Sequence, residues 1–393
     1  MFRLIQQWLT ALTLFATGIS SVNAQVPAPS VSLGFGVDTT ITDVGNIVRL
    51  VRAYLAKPDS SARERGLWSV AGDFDRRLGD VAAGDTYQGF RATVIGVVPV
   101  APGDSVYVVK VLHAAADSGG QRISPLALQR LYAVREPGAA FSFRLSAALP
   151  RLTKDWVRRS KGHMTFWYAP GQRPNMSKIN RATRLVDSVA KLLEVPAPKH
   201  LDVYITATIE EAKRAIGLDF DVEASGPGVG RGGFTLPSGI LLVGDPDIGE
   251  AYYHEFVHAI IGPTLRPANG LLGEGVPTWL GGSRGRSPRE MYAFLMHEQE
   301  ADPSLTLTGV LNWDFQNSPA KLGSDLQRAT GALVANAVYR KNGIAGLRKF
   351  VQLKGDTDTL LRELAAQLGL PNANAKSLDN WWRNEAARAS SNK

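Results

Sequence analysis

Two histidines separated by three residues are the part of this sequence with the clearest chemical meaning. The segment 252–260 reads YYHEFVHAI and contains the pattern His-Glu-x-x-His, with His254, Glu255 and His258. On an α-helix, residues four apart lie on the same face one turn from each other, so both imidazoles can reach one metal ion. Glu255 lies near enough to that face to take a proton from a metal-bound water without being a ligand. The pattern therefore predicts a metal site with Glu255 as general base.

A third protein ligand is expected, because a catalytic zinc ion takes three protein ligands and keeps a fourth position open. The segment 269–280 is largely apolar and contains one acidic residue, Glu274, sixteen residues after His258. Competing ligands are few, since the chain has no Cys and its other four His residues are scattered, at positions 113, 163, 200 and 297. We therefore predict that His254, His258 and Glu274 bind one Zn²⁺ per chain.

Helix signals flank the two histidines independently of the motif. Asp247 is a residue type that caps helices, and Glu250 follows three residues later. Gly262 and Pro263 form a pair that ends helices. The sequence therefore predicts that the motif lies on a helix capped by Asp247.

The segments HEFVHAI and LLGEGVPTWL together resemble the gluzincin group of zinc metallopeptidases, whose thermolysin-like and aminopeptidase-like catalytic domains have the peptidase MA fold. The resemblance covers roughly Lys161 to Arg388. It implies two lobes, one of mixed strands and helices and one helical, with a catalytic cleft between them. It also implies that an extended peptide substrate pairs with an edge strand, either 239–243 or 232–237.

The same resemblance assigns roles to the residues of the motif. It implies that His254, His258 and Glu274 are the zinc ligands and that Glu255 is the general base of peptide hydrolysis. The expected partner is thus a peptide or protein substrate. Pro277 departs from the pattern, because it stands where these families usually have Ala three residues after the glutamate.

Three residues are candidates for stabilising the oxyanion. Many gluzincins carry a tyrosine for this purpose on a later helix, and that tyrosine has no clear match here. Tyr339 lies on such a predicted helix, Arg328 lies about three turns earlier on the same face, and His297 is a further candidate. The assignment stays open among these three residues.

The composition is that of a folded globular protein and excludes several classes of function. The chain has 393 residues, 44% of them hydrophobic and 20% charged, which predicts two domains of ordinary size. Its net charge of +8 comes without a block of like charges, so nucleic-acid binding is not indicated. Because there is no Cys, a disulfide scaffold, a thiol nucleophile and a Cys-ligated metal are excluded.

Residues 1–24 have the features of a secretory signal peptide. Arg3 gives a positive start, residues 8–19 are mostly apolar, and Val22-Asn23-Ala24 is a small-residue cleavage site. An uncleaved anchor is the weaker alternative, because a span needs about 20 apolar residues and no later segment is that long either. We expect a secreted or periplasmic protein that begins near Gln25 and has no membrane span.

Residues 25–150 are predicted to form an α+β accessory domain. Apolar residues recur every three or four positions over 41–56, which predicts a helix. Segments rich in β-branched and aromatic residues follow, with hairpin-like turns between them: 90–100, 105–114, 126–134 and 140–145. A helix packed on an antiparallel sheet in this order is similar to the nuclear-transport-factor-2-like fold.

Residues 151–393 are predicted to form the zincin-like domain, so that the whole chain belongs to the α+β class. Strands at 164–168, 201–206 and 239–243 alternate with helices, the first of them at about 175–193. After residue 280 the sequence predicts one helix after another. The domain would thus have a mixed strand and helix lobe with the histidine helix, followed by a helical lobe.

Two hypotheses about function follow from these features. The first is a secreted zinc metallopeptidase. The alternative is a non-catalytic secreted binding protein in which the N-terminal domain holds a ligand or partner and the zincin-like domain is a scaffold. Peptide turnover that a chelator abolishes and zinc restores would separate the two.

Overall fold

The computed structural model describes residues 31–56, 66–69, 87, 90–116, 122–222, 231–236, 239–312, 322–370 and 374–391. These residues form two compact units. The sheet unit lies within Val26–Thr183 and Pro198–Ala251, and the helical unit lies within Arg184–Ala197 and Tyr252–Lys393. The described part of the chain is mixed α/β, with two β-sheets and eleven α-helices. The predicted signal peptide lies outside the described residues.

The first sheet contains the antiparallel meander that the sequence predicts. Its strands are β1 (Ser32–Leu33), β2 (Arg91–Pro99), β3 (Val106–Ala116), β4 (Ile123–Arg135) and β5 (Phe143–Ser146). Strands β2 to β5 pair with their sequence neighbours in antiparallel fashion, and β1 pairs with β2 in parallel. A sixth strand, β9 (Leu218–Asp221), comes from much later in the chain and pairs with β4.

Helix α1 (Thr42–Leu55) covers one face of this sheet with its apolar side. Ile47, Val51 and Tyr54 of the helix are buried in one cluster with Val94 and Leu131 of the sheet. These helical residues recur at spacings of three and four, so a single face enters the core. The predicted helix over 41–56 is confirmed.

The second sheet has five strands in the order β10-β11-β8-β7-β6. They are β6 (Val157–Lys161), β7 (Met164–Tyr168), β8 (Leu201–Ile205), β10 (Gly233–Leu236) and β11 (Ile240–Val243). Helix α3 (Met176–Leu192) connects the parallel strands β7 and β8. Two short helices, α2 (Leu149–Leu152) and α4 (Ile209–Ala215), belong to the sheet unit, whereas α3 is divided between the two units after Thr183.

The predicted edge strand can be located in this sheet. Of the two candidate segments, β10 lies at the edge, while β11 lies between β10 and β8. The opposite edge is β6, and all five of its residues are exposed. Charged side chains on such an edge discourage pairing with another chain. Because β11 has a partner strand on each side, the segment 239–243 is an internal strand.

Seven helices of the described residues lie wholly within the helical unit. They are α5 (Tyr253–Thr264), α6 (Gly270–Gly281), α7 (Pro288–Ala301), α8 (Leu307–Leu311), α9 (Leu322–Val351), α10 (Thr357–Leu368) and α11 (Ala375–Ser391). Helix α9 bends at Gly343, whose φ of 62° is not helical, and the sequence predicts a helix on either side of this glycine. The succession of helices predicted after residue 280 is confirmed.

The division of the strands into two sheets does not coincide with the division of the chain into two compact units. Apart from β9, the strands of the first sheet precede residue 150 and those of the second follow it. The compact units instead place both sheets together and separate them from the helices after residue 251. The predicted boundary between domains at residue 150 stays a prediction.

In the described part of the chain, no helix is both long enough and apolar enough to cross a membrane.

Candidate metal centre

Helix α5 carries the histidine motif, but it begins differently from the prediction. Its N-cap residue is Tyr252, and no side chain caps it. Asp247 instead donates its backbone N–H to the Asp245 carboxylate, 3.0 Å away, and a 3₁₀ turn over Gly249–Ala251 follows. The predicted cap at Asp247 is therefore wrong, because the chain makes this extra turn before the helix begins.

Glu250, the other residue of the predicted capping pair, has different partners within the sheet unit. Its buried carboxylate accepts hydrogen bonds from the Tyr168 hydroxyl at 2.8 Å and from the backbone N–H of Asn175 at 2.7 Å. Burial and this hydrogen bond to Glu250 raise the pKa of Tyr168 above its ordinary value. Glu250 thus anchors the 3₁₀ turn that comes just before the histidine helix.

The structure brings the three predicted metal ligands together. The Nε2 atoms of His254 and His258 are 3.1 Å apart. The Glu274 carboxylate places Oε2 3.3 Å from His254 Nε2 and Oε1 3.4 Å from His258 Nε2. Within the described ranges, no other group of three or more His, Cys, Asp or Glu residues has its ligand atoms this close together. We call these three residues the ligand cluster.

These distances fit a single zinc ion. Tetrahedral ligands bound at about 2.0–2.2 Å stand roughly 3.3–3.6 Å from one another, and the separations in the ligand cluster are close to that. Two imidazoles and one carboxylate are also a donor set that catalytic zinc uses. His254 is buried, while Glu274 leaves 41% of its side chain exposed. The cluster is therefore accessible to solvent on the side of Glu274.

The orientation of His254 depends on a residue that the sequence did not single out. His254 Nδ1 donates a hydrogen bond to the carbonyl oxygen of Gly282, 2.9 Å away. A proton on Nδ1 leaves the lone pair of Nε2 free for a metal. Gly282 has a φ of 76°, and a Cβ on it would lie 2.1 Å from the Arg286 carbonyl oxygen. A glycine is needed at this position.

Glu274 is held by Arg328 of helix α9, whose Nε donates a hydrogen bond to Oε2 at 2.9 Å. Burial raises the pKa of Glu274, but hydrogen bonds from His254 and His258 and the charge of Arg328 outweigh it and hold this pKa well below its usual range. Glu274 is thus an ionised carboxylate, as a metal ligand must be.

Glu255 follows His254 on helix α5 and is buried, with 7% of its surface exposed. It is outside the ligand cluster, which agrees with a residue that binds no metal. Burial lowers the pKa of His258, but its hydrogen bond to Glu274 and the negative charges of Glu255 and Glu274 raise this pKa above the ordinary value. The charge of Glu255 therefore acts at the cluster. Its role as general base stays a prediction.

The three candidates for oxyanion stabilisation lie in different surroundings. Arg328 contacts the ligand cluster through Glu274. Tyr339, three turns further along α9, packs its ring against Trp279 with centroids 5.1 Å apart. His297 lies exposed on α7. Of the three, in the described part of the chain, only Arg328 touches a predicted ligand.

No protein-family model and no curated protein matches the sequence. Among solved structures, the chain is similar to a mutant M1 zinc metallopeptidase from Deinococcus radiodurans bound to a Tyr-Ser-Ala substrate, with 15% identity and a TM-score of 0.37. The match covers 75% of this chain and 63% of that one, so the chain spans less than two thirds of that protein. This likeness does not place the chain in a family.

Proposed function

We propose that this protein is a secreted zinc-dependent peptidase. One observation carries the proposal: ligand atoms of His254, His258 and Glu274, which come from two different helices, lie within 4.8 Å of one another. A buried carboxylate, Glu255, follows the first of these ligands on the same helix. Two imidazoles and a carboxylate with an adjacent acidic residue are one of the sets of groups that zinc-dependent hydrolysis uses.

Each residue of this site would have a separate role in the reaction. A bound zinc ion would supply a Lewis acid that polarises the carbonyl of a peptide bond and makes an attacking water more acidic. His254, His258 and Glu274 would hold that ion, with His254 fixed in orientation by the carbonyl of Gly282. Glu255 would take the proton of the attacking water and return it to the leaving amine.

The proposal of secretion rests on residues 1–24. A positive start, an apolar segment and the Val22-Asn23-Ala24 cleavage site support removal of a signal peptide on export. We therefore infer that the peptidase works in the periplasm or outside the cell.

The test is hydrolysis of a peptide library by the full exported chain. We expect turnover that is lost on treatment with a chelator and restored by zinc, and that is absent from the Glu255→Gln variant. A protein that binds one zinc ion but hydrolyses no peptide would favour the alternative, a binding protein built on a zincin-like scaffold.

A further inference from the structure

A cavity of about 580 Å³ lies beside the ligand cluster, within the helical unit. The residues that line it come from the beginning of α6, the end of α8, and the beginnings of α9 and α10. Its ionisable lining groups are Glu274, Arg328 and Asp356. Because Glu274 is a predicted zinc ligand, a group bound in this cavity would lie next to the reacting peptide bond.

The guanidinium of Arg328 makes hydrogen bonds to the described residues with only some of its donors. Its Nε is committed to Glu274, and one terminal nitrogen reaches the Ser324 hydroxyl at the long distance of 3.4 Å. The other terminal nitrogen has no hydrogen-bond partner among the described residues. A guanidinium presents its donors in a planar fork, and a carboxylate is the group that matches this fork.

A second cation lies close to the same hydroxyl. A terminal nitrogen of Arg284 is also 3.4 Å from Ser324 Oγ. Arg284 and Arg286 both pair with the buried carboxylate of Asp325. Two guanidinium groups therefore approach Ser324. Among the described residues, Asp325 is the one carboxylate that pairs with Arg284 and Arg286.

Of the two carboxylates that line the cavity, only Glu274 pairs with Arg328. Asp356 caps helix α10, since its carboxylate accepts the backbone N–H of Thr359 at 2.9 Å, and it forms no ion pair with Arg328. Glu274 would share its negative charge with the zinc ion. With a divalent cation at the ligand cluster, the groups around the cavity would therefore carry net positive charge.

We propose that Arg328 and Ser324 form a subsite that binds a carboxylate of the substrate. The proposal rests on the proposed function and specifies its substrate class: peptides that carry a carboxylate close to the scissile bond. That carboxylate can be a free C terminus or the side chain of Asp or Glu. The cavity has the size of an ordinary ligand pocket, which ranges over about 300–1,000 Å³, and so it accommodates such a terminal or side-chain group.

The first experiment measures binding without turnover. The full chain with Glu255→Gln is loaded with zinc and titrated calorimetrically with matched peptides. One pair differs only in a free C-terminal carboxylate against an amide, and the other only in Glu against Gln next to the central bond. Charge-assisted hydrogen bonds predict that at least one carboxylate peptide binds about tenfold or more tightly than its neutral partner. The pair that shows the difference identifies the source of the carboxylate.

The second experiment assigns the preference to Arg328. In the same background and at saturating zinc, Arg328→Gln should reduce the preference to within about twofold, and Arg328→Lys should keep part of it. Arg340→Gln is the matched control, because Arg340 lies on the same helix and pairs with Glu385, away from the cavity. This control should keep the full preference.

The outcomes separate this inference from the proposed function. A carboxylate preference that requires Arg328 supports the subsite even if the wild-type chain hydrolyses no peptide. Equal binding of both members of every pair, or a preference that survives Arg328→Gln, overturns the subsite even if the wild-type chain is an active zinc peptidase.

Discussion

Gly275 of helix α6 and Gly331 of helix α9 are in backbone contact where the two helices cross. A Cβ on Gly275 would lie 2.4 Å from the carbonyl carbon of Gly331, and a Cβ on Gly331 would lie 2.3 Å from the carbonyl oxygen of Leu271. Glu274 precedes Gly275, and Arg328 lies one turn before Gly331. The close crossing therefore allows the hydrogen bond between Arg328 and Glu274.

The variant Gly331→Ala should separate the two helices and weaken the protein. Because the added methyl group would meet backbone and not a flexible side chain, we expect the free energy of unfolding to fall by roughly 1–3 kcal/mol. Zinc should also bind more weakly, since Glu274 loses its position. Chemical denaturation and competition with a chelator measure the two effects.

The matched control is Gly273→Ala on the same helix as Gly275. A Cβ there would meet only the Pro267 side chain, at the ordinary distance of 3.7 Å. This variant should be as stable as the wild type or up to about 1 kcal/mol more stable, because Ala is the better helix former. Equal stability of Gly331→Ala and Gly273→Ala would contradict our account of the crossing.

Removal of one imidazole should remove the metal. The purified chain should hold one zinc ion, and His258→Ala should lose it, because an incomplete set of ligands holds the ion poorly. Elemental analysis after dialysis checks this. His297→Ala removes an exposed histidine outside the ligand cluster and should keep the zinc. Full zinc in His258→Ala would show that the ligand assignment is wrong.

The variant Gly282→Ala should weaken zinc binding although Gly282 is not a ligand. An added Cβ would collide with the Arg286 carbonyl oxygen and would also be strained at a φ of 76°, so the carbonyl that accepts the His254 proton should shift. Loss of such a supporting hydrogen bond typically costs 10–100-fold in metal affinity. A chelator competition assay measures the change.

Gly171→Ala is the control for backbone strain. Gly171 has a φ of 88° in a loop of the sheet unit, and a Cβ there would meet nothing within 4 Å. It should cost stability of the order of 1 kcal/mol and leave zinc affinity unchanged. If both variants affect zinc equally, the bond from His254 to Gly282 has no role in metal binding.

The two glutamates of the site should respond differently to conversion into glutamine. Glu255→Gln keeps the shape of the side chain but loses the ability to take a proton, so zinc should stay while turnover falls by about 10²- to 10⁴-fold. Glu274→Gln replaces an anionic ligand by a neutral amide, so zinc should bind more weakly and added zinc should restore part of the activity. The opposite pattern would mean that their roles are interchanged.

The mature chain should begin at Gln25 or within a residue or two of it. The short apolar segment and the cleavage site Val22-Asn23-Ala24 predict removal of residues 1–24 on export. Mass spectrometry of the exported protein checks the N terminus. A chain that retains Met1 would instead support an uncleaved anchor.

The motif could be read from the sequence because its geometry is local. Residues four apart on a helix lie close together regardless of the tertiary structure, so His254 and His258 were predictable as a pair. The sequence also predicted Glu274 as their partner, since it is the one acidic residue of the apolar segment 269–280. The strands β2 to β5 were equally predictable, because hairpins join neighbouring segments.

The hydrogen-bond partners of the acidic residues before helix α5 could not be predicted in the same way. Asp247 and Glu250 both lie just before helix α5, and the sequence predicts that Asp247 caps this helix. Asp245 accepts the nearby backbone N–H groups, while Glu250 binds Tyr168. The hydrogen-bond partner of Glu250 is thus a residue 82 positions away in the chain. Strand β6 was also missed, because an exposed edge strand lacks the apolar alternation that marks buried ones.

Only the tertiary structure revealed what surrounds the ligand cluster. The partner of His254 is 28 residues away, at Gly282, and the partner of Glu274 is 54 residues away, at Arg328. Neither pairing can be recognised from a sequence pattern, because both depend on the distance between two backbones. Glycines allow the close approach, and the atoms that they contact belong to other helices. The sequence determined which side chains can bind a metal, through the period of one helix. Helix packing decided which groups hold those side chains in place.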